Sequence, residues 1–182
     1  MFFDLIRNRR SIRKFTQMPV GKEIQEQLIE AALRAPSSRG FNPWRFIVVD
    51  DPGLLAKLST STAHGAYFLE DAPLGIVICG DSTKSDVWVE DASIATIYIQ
   101  LAAQALGLGS CWIQIRKREH DSGKSAESFI QSLLEIPEHY KVESIVALGY
   151  ADEQKNPHSL DSLDFDKVFY NTFGENPQEH IS

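Results

Sequence analysis

Residues 90–113 read EDASIATIYIQLAAQALGLGSCWI, and the order of elements within this stretch decides the kind of fold. Ile94, Ile97, Tyr98, Leu101 and Ala105 recur at helical spacing, which predicts a long central helix with these residues as its apolar face. Gly107 and Gly109 punctuate its end, and SCWIQI (110–115) then predicts a strand. The glycine-rich LGLGSCW therefore leaves a helix and enters a strand. A dinucleotide-binding fingerprint needs the reverse order, strand into helix, so a Rossmann site is excluded.

The flanking sequence supplies more helices and apolar strands. Residues 2–9 predict a short helix carrying Phe2, Leu5 and Ile6, and Ile24, Leu28, Ala31 and Ala35 mark a second that Pro36 ends. RFIVVD (45–50), LGIVICG (74–80) and VESIVALGY (142–150) predict the other strands. Asp51 and Pro52 suit the cap and first turn of a helix carrying Leu54, Leu55 and Leu58, and Phe129, Ile130, Leu133 and Leu134 mark a last helix before Pro137. Pattern alone suggests an α/β arrangement. With 182 residues, 43% of them hydrophobic, a single domain over 1–182 is expected. Beyond Tyr150 the chain turns polar and then aromatic, through Phe165, Val168, Phe169, Tyr170 and Phe173. Residues 151–182 are thus expected to form an extended C-terminal arm that docks on the body or on a second subunit.

Composition narrows the function. A net charge of −7 argues against nucleic acid as a partner, and no apolar run approaches membrane-spanning length. The apolar start precedes the basic residues, the wrong order for a secretory signal, so a cytoplasmic location is expected. Cys79 and Cys111 lack CxxC spacing, and the histidines His64, His120, His139, His158 and His180 are scattered, so no metal site is expected. P-loop, GxSxG and HExxH motifs are absent from the sequence.

Two segments carry candidate chemistry. RNRRSIRKF (7–15) gathers Arg9, Arg10 and Arg13 around Ser11, guanidinium forks and a hydroxyl able to hold a phosphate. The same residues also read as a solvated basic helix end. APSSRGFNPWRF (35–46) packs Pro36, Ser37, Ser38, Gly40 and Asn42 into a loop between helix and strand, where sites are common. Plain turn chemistry accounts for the same residue types.

The order of these blocks along the chain resembles the nitroreductase family. RRSIRKF, PSSRGFNPWRF, APLGIVICGD, EDASIATIYIQLAAQALGLGSCWI and VALGY match its successive motifs over nearly the whole chain. The resemblance implies an α+β fold, a central β-sheet flanked by helices, in an intertwined homodimer with FMN bound between the subunits. It implies that Arg9 and Ser11 meet the FMN phosphate and ribityl chain, that Arg10 holds the neighbouring motif position, and that Arg13 lies at the pyrimidine edge of the ring. Pro36, Ser37, Ser38 and Asn42 would approach from the partner subunit, Trp112, Ile113 and Gln114 would line the ring near N5, and Lys155 would reach the phosphate. His64 is the nearest candidate for a polar residue flanking the flavin.

The activity implied is a ping-pong oxidoreductase in which NAD(P)H is a transient reductant and an electron-poor small molecule, such as a nitroaromatic or a quinone, is the acceptor. No side chain need act as the catalyst. A fixed cation at Arg13 would stabilise the negative charge that reduction places on the N1–C2=O region. Departures from the family pattern at Gly40, Asn42 and Gln114-Ile115-Arg116 bear on acceptor class. The same scaffold also hosts enone reduction, dehalogenation and flavin breakdown, and a non-enzymatic FMN-binding or flavin-sensing dimer is the alternative from another class. Loops 60–70 and 114–125 are expected to shape the acceptor pocket.

Overall fold

The computed structural model describes residues 1–174. Helices α1 (Phe2–Asn8), α2 (Lys22–Leu33), α3 (Pro52–Ser59), α4 (Trp88–Ala105) and α5 (Ala126–Leu133) alternate with strands β1 (Trp44–Val49), β2 (Leu74–Asp81), β3 (Gly109–Gln114) and β4 (Tyr140–Gly149). The strands form one sheet in the order β1-β2-β4-β3, with every neighbouring pair antiparallel. The fold is therefore α+β, as the resemblance implied, and not the α/β arrangement that pattern alone suggested. The reason is topological. Long crossings between strands, through α3, α4 and α5, can return to an antiparallel neighbour as well as to a parallel one, and periodicity does not record which.

Local chemistry fixes the element ends. Asp51 caps α3 by accepting a hydrogen bond from the Leu54 N–H at 2.7 Å, with Pro52 behind it in the first turn, and Ser125 caps α5 through the Ser128 N–H at 3.1 Å. α4 stops where Gly107 takes φ +76, a conformation a side chain would strain.

The sheet separates two cores. Leu74, Ile76 and Ile78 of β2 with Val146 and Leu148 of β4 meet Leu28 and Ala32 of α2 and Ala92, Ile99 and Ala103 of α4. On the other face, Val77, Cys79, Ile113, Ile145 and Ala147 pack with Leu55 and Leu58 of α3 and Ile130 of α5. The inner strands β2 and β4 are buried almost throughout, whereas β1 is an edge strand with Arg45 and Val48 exposed.

α4 is the long helix that the spacing predicts, and the structure shows which of its sides is buried. The face it lays on the sheet is made of small residues, Ala92, Ala95, Thr96 and Ala103 around Ile99. Ile94, Ile97 and Tyr98, whose helical spacing marked the helix in the sequence, are 36%, 40% and 39% exposed. The helix is apolar on both sides, so spacing cannot tell which side meets the sheet, and small residues win there because they let helix and sheet approach closely. Leu101 and Ala105 of the outer side line, with Phe2, Leu5, Ala31 and Tyr98, a cavity of about 410 Å³.

The arm docks only in part. Residues 151–156 lie along the N-terminal segment through Phe15–Ala151 pairing and an Asp152 N–H donating to the Lys14 carbonyl at 2.9 Å. From Leu160 to Phe173 the large apolar residues are exposed, and the arm's last residues, 175–182, lie outside the described residues. Among the described residues no helix is long and apolar enough to cross a membrane.

Candidate functional site

The segment after α1 is clipped to the outer edge of β3. Ser11 bridges Ser110, and the Ile12 N–H donates to the Ser110 carbonyl at 3.0 Å. Ile12 can lie this close because Gly109 has no side chain: a Cβ there would stand 2.8 Å from that of Ile12. With Ile12 and Phe15 buried as anchors, Arg9 and Ser11 are left half-buried and Arg13 exposed.

Charge converges on this corner. Burial pushes the Cys111 thiol up, and Arg13, the Ser11 hydroxyl, Lys155 and Arg9 all pull against it, so the positive field of all three cations reaches this part of β3. The Lys155 ammonium donates to the Ser11 carbonyl at 2.6 Å and pairs with Glu153 at 3.2 Å. Glu153 also accepts from the backbone N–H groups of Arg13 at 2.5 Å and Lys14 at 3.2 Å. Held chiefly by the Arg13 N–H, with help from Lys155, its carboxyl lies below the ordinary value. Arg10 turns away and donates to the Asn156 carbonyl, which ties down the arm. The Arg13 guanidinium carbon lies 5.8 Å from the Phe68 ring centre, within cation–π range.

Further along β3 the open edge is polar. Ser110 turns its carbonyl outward to Ile12, so by the alternation of an antiparallel ladder Trp112 and Gln114 turn their main-chain groups to the same edge. Their half-buried side chains are linked, Trp112 Nε1 donating to Gln114 Oε1 at 3.0 Å and Gln114 Nε2 to the Arg116 carbonyl at 3.0 Å. Ile113, between them, is buried in the core, and by the same alternation its main-chain groups face β4, so neither its side chain nor its backbone is offered at this edge as the resemblance implied.

The Pro36–Asn42 loop is built differently. It makes a single helical turn, Ser38–Gly40, in which Arg39 has φ 52 and Gly40 φ 66, and Asn42 follows at φ 48. Left-handed backbone costs a non-glycine residue about 1–2 kcal/mol, so such a loop needs anchors. Ser37 provides one, its hydroxyl bonding the Asn42 side-chain oxygen at 2.7 Å and accepting from the Asn42 N–H at 3.0 Å. Asp91, in the first turn of α4, provides the other by accepting from the Ser38 N–H at 2.8 Å and the Ser85 hydroxyl at 3.2 Å. Pro36 and Asn42 are left exposed.

The two groups of candidate residues occupy opposite corners of the sheet. Arg9, Ser11, Arg13 and Lys155 lie at the start of β3, whose Ser110 aligns through Leu148 with Leu74 of β2. The loop precedes Trp44 of β1, which aligns with Gly80 of β2. Three strand spacings and the run from Leu74 to Gly80 put the corners about 25 Å apart. One chain brings together Arg9, Ser11, Arg13, Lys155 and the Trp112–Gln114 edge, and keeps Pro36, Ser37, Ser38 and Asn42 away from them.

Sequence reading missed Asp91, Glu153 and Phe68. Asp91 is 2% exposed while its neighbour Glu90 is exposed; an acid amid the small residues of a helix bound for the sheet was the available signal. His64 is exposed, and its carbonyl, not its ring, takes a bond from the Thr62 hydroxyl.

An antiparallel sheet between helical layers, with a basic segment clipped to its edge strand, defines an α+β scaffold of the nitroreductase kind. The sequence matches the Nitroreductase family over residues 6–66 and 55–150, and the chain belongs to that family of oxidoreductases. A solved structure of an FMN-dependent nitroreductase from Clostridium difficile R20291 superposes with a TM-score of 0.92 at 48% identity, covering 94% of this chain and 99% of that one. A protein of Archaeoglobus fulgidus provisionally named NADH dehydrogenase/NAD(P)H nitroreductase is 38% identical over 161 residues, 86% of this chain and 89% of its own length. A Methanothermobacter thermautotrophicus protein with the same provisional name is 37% identical over 168 residues, 91% of this chain and 84% of its own.

Proposed function

We propose that the protein is an FMN-dependent NAD(P)H oxidoreductase that passes electrons to an electron-poor acceptor such as a nitroaromatic or a quinone. The observation that carries this reading is the clipping of the Arg9–Arg13 segment to the edge of β3 at Ser110, with the Lys155 ammonium brought onto the Ser11 carbonyl. The donor set fits FMN. Arginine forks, an ammonium and a hydroxyl suit a phosphate, and the outward main chain of Trp112 and Gln114 suits a ring with polar edges. Glu153 is already engaged by two backbone N–H groups and Lys155, so it does not oppose an incoming anion as a free carboxylate would.

In this reading Arg9, Ser11 and Lys155 hold the phosphate end, and Arg13 lies where a cation favours the reduced ring. Trp112 and Gln114 line the ring through the β3 edge, Ile113 holds that edge in place from the core, and Arg10 acts indirectly by fastening the arm. FMN supplies the two-electron chemistry when bound, with hydride coming from NAD(P)H in a ping-pong cycle. The chain's own part is position and field. Because Pro36, Ser37, Ser38 and Asn42 stand about 25 Å from the arginines, they belong to the site of a second copy, which makes the working unit a homodimer. The apolar outer side of α4 supports that pairing.

The test is an absorbance spectrum of purified protein, followed anaerobically after adding NADH or NADPH. Yellow protein that bleaches supports the reading. Yellow protein that stays oxidised with both reductants replaces it with a flavin-binding or flavin-sensing role, and colourless protein that FMN cannot reconstitute overturns it.

A further inference from the structure

Asp91 is a buried acid that no step above uses. It is 2% exposed, and among the described residues no cation pairs with it. A carboxylate withdrawn from water without a counter-ion must be held by hydrogen bonds, and Asp91 receives them from Ser38 N–H at 2.8 Å and Ser85 Oγ at 3.2 Å. Its fourth position in α4 adds the positive field of the helix start. The Ser38 bond matters most, because Ser38 opens the turn in which Arg39 and Gly40 are left-handed. Apart from that turn's own main-chain bonds, from Gly40 N–H to Ser37 and Phe41 N–H to Ser38, the loop is fastened by the Ser37–Asn42 clasp within it and by Asp91 outside it.

From this geometry we infer that Asp91 is the positioning residue of the site, acting in trans: it shapes its own chain's Ser37–Asn42 loop so that the loop fits the flavin held by the other copy. The inference rests on the flavin-dependent dimer proposed above. A carboxylate grips a backbone N–H more firmly than a neutral acceptor, and that grip keeps a strained loop in one shape before any cofactor arrives. Asp91 touches no cofactor in this arrangement. Its effect is felt about 25 Å from the arginine cluster of its own chain and beside that of its partner.

Mixed dimers test this. Asp91→Ala and the double variant Arg9→Ala/Arg13→Ala are co-expressed with different tags, and pairs carrying one chain of each are isolated. FMN binding is read by quenching of flavin fluorescence, with turnover left aside. Each variant alone is expected to bind FMN at least about tenfold more weakly than wild type. The mixed pair is expected to regain wild-type affinity at one FMN per pair, because one of its sites joins an intact cluster to an intact loop. Ser38→Pro removes the same N–H, and Ser37 at φ −137, ψ 158 already has the extended backbone that precedes proline, so it should reproduce the pattern if Asp91→Ala fails to fold. A mixed pair no better than its parents, or an Asp91→Ala homodimer that binds like wild type, overturns the role in trans. Wild-type protein that takes up no FMN removes the flavin reading itself and the inference with it.

Discussion

The corner at the start of β3 and the corner at the start of β1 reach local order by opposite means. At the first, Arg9, Arg13 and Lys155 flank the segment clipped to β3, and Glu153 gathers the backbone N–H groups of Arg13 and Lys14. At the second, the loop side chains are neutral apart from Arg39, the backbone is left-handed at Arg39, Gly40 and Asn42, and a buried carboxylate from a distant helix holds the turn. One corner offers charge and the other offers shape. A phosphate-bearing ring needs both, which is why neither corner alone reads as a complete site.

The largest effect should come from the charged corner. Arg9→Ala with Arg13→Ala removes two charge-assisted contacts, so FMN affinity should fall about 100-fold, with the loss shrinking as salt is raised. A titration showing less than a threefold change would place the phosphate elsewhere. At the shaped corner, Gly40→Val should lower stability by about 1–2 kcal/mol and weaken FMN binding along with it. Among the described residues nothing lies within 4 Å of the Cβ it would add, so the obstacle is its φ of +66. Gly40→Asn, a residue that tolerates the left-handed backbone, is the control. Equal melting temperatures for the two variants would break the contrast between the corners.

A smaller effect separates the two buried acids beside α4. Glu143 is 4% exposed, stands at the register shift between β2 and β4, and has Oε2 buried without a hydrogen-bond partner among the described residues. Burial pushes its carboxyl up, against the pull of Arg116 and Ser93. A folded value above the unfolded one means that stability falls as pH rises from the ordinary carboxylate range through the folded value. Glu143→Gln should therefore raise the melting temperature by about 2–4 °C at pH 7 and leave it unchanged near pH 4. A gain of the same size at both pH values would show that charge is not the cause.

The smallest effect belongs to Glu153. Its lowered carboxyl contributes stability that is complete above the ordinary glutamate value of 4.5 and is lost as pH falls through the folded value beneath it. The amide resonance of Arg13 should report that titration. A midpoint at or above 4.5 would show that the carboxyl is not held by the segment.

Charge was legible in the sequence and shape was not. Arg9, Ser11 and Arg13 stand together in the chain, so their clustering survives any fold, and Lys155 was reachable only through the family resemblance. The strands and most helix ends were readable because Asp51, Pro52 and Gly107 act locally. The antiparallel order of the sheet was not, since it depends on which edges meet. Nor was the outward turn of Ile94, Ile97 and Tyr98, because a helix apolar on both sides gives one periodic signal for two faces. Asp91 was hidden for a related reason: its partners, Ser38 and Ser85, are remote or unremarked in sequence, and only the folded chain brings them to it.

The diagonal placement of the two corners carries a consequence for how the protein behaves on dilution. If a ring is gripped by charge from one chain and shape from another, then holding the ring and holding the partner become a single linked equilibrium. Lowering the protein concentration should strip the yellow colour, and adding free FMN should draw separated chains back together by mass action.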